Sequence, residues 1–172
     1  EFDKYADATD TEANAFRLVE RRTASYGPLR RIFDATTPTV EEADGWKALG
    51  GGTWEEFFVP CPHCARAAES HDPQTGQRNP GWQILEFSQF RYPKRGKVSA
   101  DEPEELCDWQ ARIRRETVYE CRDCGAAIAE VHRWSMVRRG QWHARQPEAP
   151  YPSFHLPSWY ARTPVNSFGE VA

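Results

Sequence analysis

The stretch that decides the fold is "FFVPCPHCARAAE", residues 57–69, in which Cys61 and Cys64 stand two residues apart behind an apolar run. A second pair, Cys121 and Cys124, follows in "YECRDCGAAI", residues 119–128. A C-x-x-C turn presents two thiolates to one cation, and two such turns complete a tetrahedral sulfur shell around Zn²⁺. The two pairs therefore predict a structural zinc site of the zinc-ribbon type, whose closed shell leaves no open position for catalysis.

The residues around the two pairs support this prediction and leave alternatives open. Strand-like runs lead into both pairs, and Gly125 follows the second pair, where the turn often needs a positive φ. Four sulfur ligands also suit iron, so the spacing alone does not separate a zinc site from a rubredoxin-like one. Unligated or redox-active pairs are the remaining alternative. The fifth cysteine, Cys107, is predicted to be a free thiol, and His63 is predicted to point away from the metal.

The composition limits which classes of protein this chain can belong to. The 172 residues are 39% hydrophobic and carry a net charge of −4, which predicts a modest core with long polar loops. No apolar run is long enough for a transmembrane helix, and the start has no apolar signal segment. Paired cysteines without such a signal predict a reducing intracellular compartment. The first residue is not methionine, which favours a fragment, a processed product or a tagged chain.

Hydrophobic spacing predicts a mixture of helices and strands. Helices are predicted at 9–23, from a T-x-x-E capping box, at 39–49 and at 126–139. Strands are predicted at 30–37, 54–59, 82–90, 116–121 and 141–144. Residues 66–82 and 93–108, which are rich in proline, glycine and charge, are predicted to be loops.

The order of several motifs resembles a known family. In sequence order they are "RRTASYGPLRRIFDATTPTVEEADGW", "VPCPHC", "VYECRDCGAAI", "MVRRGQWHARQP" and "SFHLPSWYARTP". This series resembles the large terminase subunit of lambda-type tailed phages, the motor that packages DNA. In that family a P-loop ATPase domain is followed by a zinc-binding insert and then by an endonuclease domain.

The resemblance implies an α/β fold, in which the C-terminal part of a P-loop ATPase sheet precedes a small β-rich zinc-ribbon module. It implies three segments: 1–53 from the ATPase domain, 54–147 as the zinc-ribbon insert with a long loop at 66–115, and 148–172 as a linker toward the nuclease. Glu1 would be the catalytic glutamate that follows the Walker B aspartate, and Thr36 and Thr37 would form the coupling motif that senses the γ-phosphate.

The resemblance also implies partners and cofactors. The whole protein would use ATP and Mg²⁺, bind duplex DNA, the small terminase subunit and the procapsid portal, and act in the cytoplasm of a bacterial host, away from membranes. The candidate phosphate contacts come from two basic stretches, "RIRR" and "VRRG", and are Arg112, Arg114, Arg115, Arg138 and Arg139.

Missing motifs limit what this chain would do alone. It has no GxxxxGK[ST] phosphate loop, and residues 126–172 contain only three acidic residues, too few for a two-metal nuclease site. We therefore expect neither ATP hydrolysis nor DNA cleavage from these 172 residues by themselves. His155 is expected to pack among Phe154, Trp159 and Tyr160 rather than to act in catalysis. Two other functions stay open: a zinc-ribbon adaptor for nucleic acid or protein, and an iron electron carrier.

Overall fold

The structure is a computed structural model, and it describes residues 15–35, 44–97, 105–161 and Phe168. The chain divides into two compact units. One unit comprises residues 1–54 and 146–154, and the other comprises residues 55–145 and 155–172. The segment 148–172, predicted as a linker, is thus shared between the two units.

The described residues form a mixture of short helices and short strands. In chain order they are α1 Ala15–Thr23, α2 Asp44–Gly51, β1 Glu55–Pro60, β2 Trp82–Gln83, β3 Phe90–Arg91, α3 Leu106–Glu116, β4 Val118–Glu120, β5 Ala127–Ala129, α4 Glu130–Arg138, β6 Gln141–Ala144 and β7 Phe154–His155. Segments of 3₁₀ helix occur at Ala24–Leu29, which has a kink at Gly27, and at Phe87–Gln89 and Ser158–Tyr160.

The first unit is held together by hydrogen bonds between the end of α2 and the returning segment 146–154. Thr53 donates its N–H to the Tyr151 carbonyl at 2.9 Å and accepts the N–H of Gln146 at 3.0 Å. The Ser153 hydroxyl donates to the Leu49 carbonyl at 2.9 Å. Gly52 allows this approach, because a Cβ there would lie 2.4 Å from the Ser153 oxygen.

The predicted buried strand at 30–37 is wrong over its described part. Residues 30–35 have no regular structure, and Phe33 is 91% exposed. A strand needs a neighbour for its backbone hydrogen bonds, and no described strand pairs with this segment.

The second unit contains two small antiparallel sheets around one core. In the first sheet, β1 lies between β2 and β6, and in the second, β4 lies between β3 and β5. The strands place alternate side chains into the core, as they must because successive residues face opposite sides of a sheet. The core residues are Val59, Cys61, Leu85, Phe90, Tyr119, Cys121, Ile128, Met136, Tyr160 and Phe168.

Three predicted strands are confirmed: β1 and β4 lead into the first and second cysteine pairs, and β6 forms at Gln141–Ala144. The predicted strand at 82–90 is interrupted, because the Leu85 N–H bonds to the Tyr160 hydroxyl and the Glu86 N–H to the Tyr119 hydroxyl, outside any strand ladder. The predicted helix at 126–139 begins only at Glu130, since residues 127–129 pair with β4.

The long loop predicted at 66–115 also differs from the structure, since it contains β2, β3 and most of α3. The helix α3 was missed because its acidic, proline-rich flank at 93–105 resembles a loop. Its inward side carries Trp109, which is half-buried, and Ile113, which is buried, at a spacing of four residues, whereas Leu106 is exposed. The Trp109 indole N–H also donates to the Pro93 carbonyl at 3.0 Å.

Candidate metal centre

The structure brings the four paired cysteines together. Their sulfur atoms all lie within 4.8 Å of one another, and the Cys64 and Cys121 sulfurs are 3.7 Å apart. Cys61 and Cys121 are buried at the ends of β1 and β4, whereas Cys124 is exposed. Residues 61–64 are called the first knuckle and residues 121–124 the second knuckle.

Each knuckle is a tight turn closed by its own backbone. Ala65 donates its N–H to the Cys61 carbonyl at 3.2 Å, and Gly125 donates to the Cys121 carbonyl at 2.9 Å. The His63 N–H points at the Cys61 sulfur at 3.4 Å. Gly125 has φ +68°, as the sequence predicted, a conformation that glycine adopts without steric cost.

The thiols of the cluster differ in how readily they ionise. Burial raises the pKa of the Cys61 thiol, and burial together with the neighbouring sulfurs raises the pKa of the Cys64 thiol. By contrast, the N–H of Ala126 lowers the pKa of the exposed Cys124 thiol. Four thiolates at this separation repel one another unless a cation lies between them. A set of four sulfur donors, without oxygen or nitrogen, fits tetrahedral Zn²⁺.

The second knuckle is also tied to the chain that follows the first. The Arg78 guanidinium makes two parallel hydrogen bonds to the Asp123 carboxylate, at 2.8 Å and 2.9 Å. This guanidinium holds the pKa of the Asp123 carboxyl below its usual range. Sequence reasoning missed both residues, because a contact across 45 positions leaves no local pattern.

The other cysteine and the histidines lie apart from the four sulfurs. Cys107 is exposed on α3, in keeping with a free thiol. His63 is exposed and lies edge-to-face with His132, with ring centres 6.0 Å apart, and the four-sulfur cluster does not include it. The expectation that His155 packs inside is wrong, since its side chain is exposed on the two-residue strand β7. The candidates Glu1, Thr36 and Thr37 lie outside the described residues.

The two basic stretches, 112–115 and 137–140, differ in the contacts that their arginines make. Arg112 donates to the Lys94 carbonyl at 2.7 Å, Arg115 pairs with Glu116 at 2.8 Å, and Arg114 also has an interaction partner. Arg138 and Arg139, at the C-terminal end of α4, are exposed, and no ion pair to either is found within the described ranges. Across those same ranges, no helix is both long enough and apolar enough to cross a membrane.

When the chain is compared with known proteins, it matches a family model. Residues 1–142 match the family described as "Phage terminase large subunit gpA, ATPase domain". This match confirms the resemblance drawn from the order of the motifs. No curated protein and no solved structure matches the chain.

Proposed function

This chain belongs to the family of phage terminase large subunits of the gpA type, and we propose that it forms the middle part of a motor that drives duplex DNA into a procapsid. The family match over residues 1–142 is the observation that carries the proposal. ATP and Mg²⁺ are the cofactors that an ATPase domain of this family uses. We further propose that the whole protein has an endonuclease activity, binds the small terminase subunit and the procapsid portal, and acts in the cytoplasm of the host.

Within the motor we assign the first segment to ATP hydrolysis. Glu1 polarises the water that attacks the γ-phosphate, and Thr36 and Thr37 relay loss of the phosphate to the parts that grip DNA. The proposal assigns the phosphate loop to residues other than these 172, which contain no GxxxxGK[ST] motif. The proposed segments are 1–53 for the ATPase sheet, 54–147 for the insert and 148–172 for the lead toward the nuclease. The boundary of the compact units between Trp54 and Glu55 supports the first division.

We assign the four-cysteine cluster a structural role as a zinc ribbon. Cys61, Cys64, Cys121 and Cys124 would hold Zn²⁺ in a closed shell, and the ion supplies folding energy there. The burial of Cys61 and Cys121 in the core of the second unit supports this role.

Among the five candidate arginines, we propose Arg138 and Arg139 as the main contacts to DNA phosphates. Both are exposed arginines at the end of a helix whose interior is fixed by buried Arg133 and Met136. Arg112 and Arg115 already have partners. Counterions released from phosphates would make binding here dependent on salt.

The test of the ATPase role is a substitution in the full-length terminase subunit. Glu1→Gln should lower the rate of ATP hydrolysis by about 10²–10⁴-fold while ATP still binds, because it removes a catalytic carboxylate and no binding group. Glu20→Gln, on α1, is the matched control and should hydrolyse ATP at the normal rate. Normal hydrolysis by the Glu1→Gln variant would remove Glu1 from the active site.

The adaptor hypothesis predicts different behaviour for the chain alone. A dedicated nucleic-acid adaptor should bind duplex DNA below about 1 μM with a steep salt slope, whereas the insert of a motor should bind weakly. In either case Arg138→Gln/Arg139→Gln should weaken binding more than Arg114→Gln/Arg115→Gln. An iron electron carrier would be coloured, and a colourless protein that contains zinc eliminates that reading.

A further inference from the structure

We infer that Arg78, Gly81 and Gln83, called the clasp, position the second knuckle for the metal and thereby set the metal affinity. The inference rests on the metal site proposed above and concerns residues that do not touch the ion. All three clasp residues follow the first knuckle in the chain, and their contacts are to the two residues between Cys121 and Cys124.

Arg78 and Gly81 hold Asp123, the second of these two residues. Arg78 grips both carboxylate oxygens, and the Gly81 N–H donates to Oδ2 of the same carboxylate. Arg78 also donates to the Trp82 carbonyl, which fixes the guanidinium to β2. Bidentate pairing of this kind fixes direction as well as distance, because the planar fork matches the carboxylate.

Gln83 holds Arg122, the first of the two residues. The Gln83 amide oxygen accepts the N–H of Arg122 at 3.0 Å, and the Gln83 side chain is 1% exposed. The amide nitrogen of Gln83 is buried and has no hydrogen-bond partner in the described part of the chain. A buried amide with one unsatisfied group costs free energy. Its presence at this point is explained by the bond that it makes to the knuckle.

Gly81 joins the two knuckles directly. Its carbonyl accepts the N–H of Cys61 at 2.7 Å, while its own N–H serves Asp123. The backbone groups of Gly81 therefore position Cys61 in the first knuckle and Asp123 in the second knuckle. The arrangement needs glycine, because φ is +84° and a Cβ would lie 2.5 Å from the Ala65 backbone.

The consequence is that the protein, as well as the metal, orients the second knuckle in the folded state. The turn that carries Cys121 and Cys124 is held at both inner residues by contacts to the chain that follows the first knuckle, and these contacts stabilise the folded, metal-binding form. Residues that orient metal ligands without touching the ion typically change metal affinity by about 10–100-fold when they are replaced. Metal affinity should therefore respond to the clasp even though the four sulfurs stay in place.

The experiment measures zinc affinity of the 172-residue chain by competition with a chromophoric chelator, and the absorption bands of the cobalt-substituted chain. Asp123→Ala and Gln83→Leu should each weaken zinc binding by about tenfold or more and shift the cobalt bands. Asp123→Asn keeps one acceptor oxygen, which can still serve the Gly81 N–H and one Arg78 nitrogen, but it replaces the other oxygen with an NH₂ donor. It should therefore lie between Asp123→Ala and the unchanged chain. Because the Asp123→Asn substitution is small, this variant still tests the proposal if Gln83→Leu does not fold.

Two matched controls separate positioning from general effects. Glu120→Gln removes an ion pair with Arg91 beside Cys121 but outside the knuckle, and so measures the effect of lost negative charge alone. Gln141→Leu removes two hydrogen bonds to the loop at Ser70 and Ala68, far along the chain from the second knuckle. Both controls should keep zinc affinity within about threefold and leave the cobalt bands unshifted.

Each outcome decides one of two claims. If the Asp123 and Gln83 variants bind zinc as tightly as the unchanged chain and leave the cobalt bands unshifted, the clasp proposal is wrong. It is also wrong if their losses of zinc affinity are no larger than those of the two controls. Failure of the unchanged chain to bind either metal would overturn the metal site itself, and the clasp with it.

Discussion

Gly81 is the residue at which a single added carbon should do most harm. It has φ +84°, and a Cβ there would meet the Ala65 backbone nitrogen at 2.5 Å. Gly76, in the same loop, has a similar φ of +67° but nothing within 4 Å of its Cβ position. Gly76→Ala should therefore cost only the conformational penalty, about 1–2 kcal/mol of unfolding free energy. Gly81→Ala should cost clearly more, because backbone atoms must move.

Urea unfolding of the two alanine variants checks this prediction. The difference between them isolates the close approach at Ala65 from the backbone conformation, which both positions share. Equal losses in the two variants would mean that the segment at Ala65 yields freely.

Tyr160 is a buried hydroxyl with two backbone partners. It accepts the Leu85 N–H at 2.6 Å and donates to the Phe57 carbonyl at 3.0 Å. Tyr160→Phe leaves the buried Leu85 N–H unpaired and removes a donor from the part-buried Phe57 carbonyl, so unfolding free energy should fall by about 1–3 kcal/mol. Tyr92→Phe, at an exposed position, should change it by less than about 0.5 kcal/mol. Thermal and urea unfolding of both variants measure the difference, and similar values for the two would contradict this account.

At the level of elements, local patterns predicted the strands that enter the knuckles and little of the chain between them. The strands β1 and β4 lead directly into paired cysteines, whose spacing predicts a metal site. That prediction made it possible to assign the residues before each pair to strands. By contrast, the interrupted strand at 82–90 depends on Tyr160, which bonds to Leu85 across 75 positions. No window of local sequence contains that information.

The loop at 66–81 docks on β6 through two stacked histidines. The rings of His71 and His143 lie 3.5 Å apart with an angle of 8° between them, and Phe58 meets His71 edge-on at 4.6 Å. Burial, then His143 and Arg78, lowers the pKa of His71 below 6.5. The unfolded chain therefore binds more protons than the folded one below about pH 6.5. Stability from this stack should be complete above that pH and be lost as the pH falls below it.

Urea unfolding at about pH 7.5 and about pH 5.5 tests the stack, with His71→Gln as the informative variant. The unchanged chain should lose more stability on acidification than His71→Gln, which has no imidazole to protonate at this position. His155→Gln, at an exposed site, should keep the pH dependence of the unchanged chain. If His71→Gln keeps it as well, the stack does not respond to pH.

At the scale of the whole molecule, the return of residues 146–154 to the first unit is the feature that sequence reasoning could least supply. The segment 146–154 belongs with residues 1–54 because Gln146 and Tyr151 bond to the backbone of Thr53. These bonds join residues about a hundred positions apart and use backbone groups, which every residue possesses. The cysteine cluster was predictable for the opposite reason, because its chemistry lies in side chains of one type at a repeated spacing.

The metal should decide whether the second unit folds. Cys61 and Cys121 belong to the same core as Val59, Tyr119 and Ile128, so loss of the ion leaves buried, mutually crowded thiols at its centre. Removal of the metal by a chelator, or Cys61→Ser, should therefore abolish hydrogen-exchange protection over about 54–145, because binding free energy is folding free energy in such sites. Cys107→Ser, at an exposed cysteine outside the cluster, should keep both the metal and the protection. Persistent protection of Val59, Tyr119 and Ile128 after complete removal of the metal would show that apolar burial alone holds this core. The four cysteines would then need a role other than structural support.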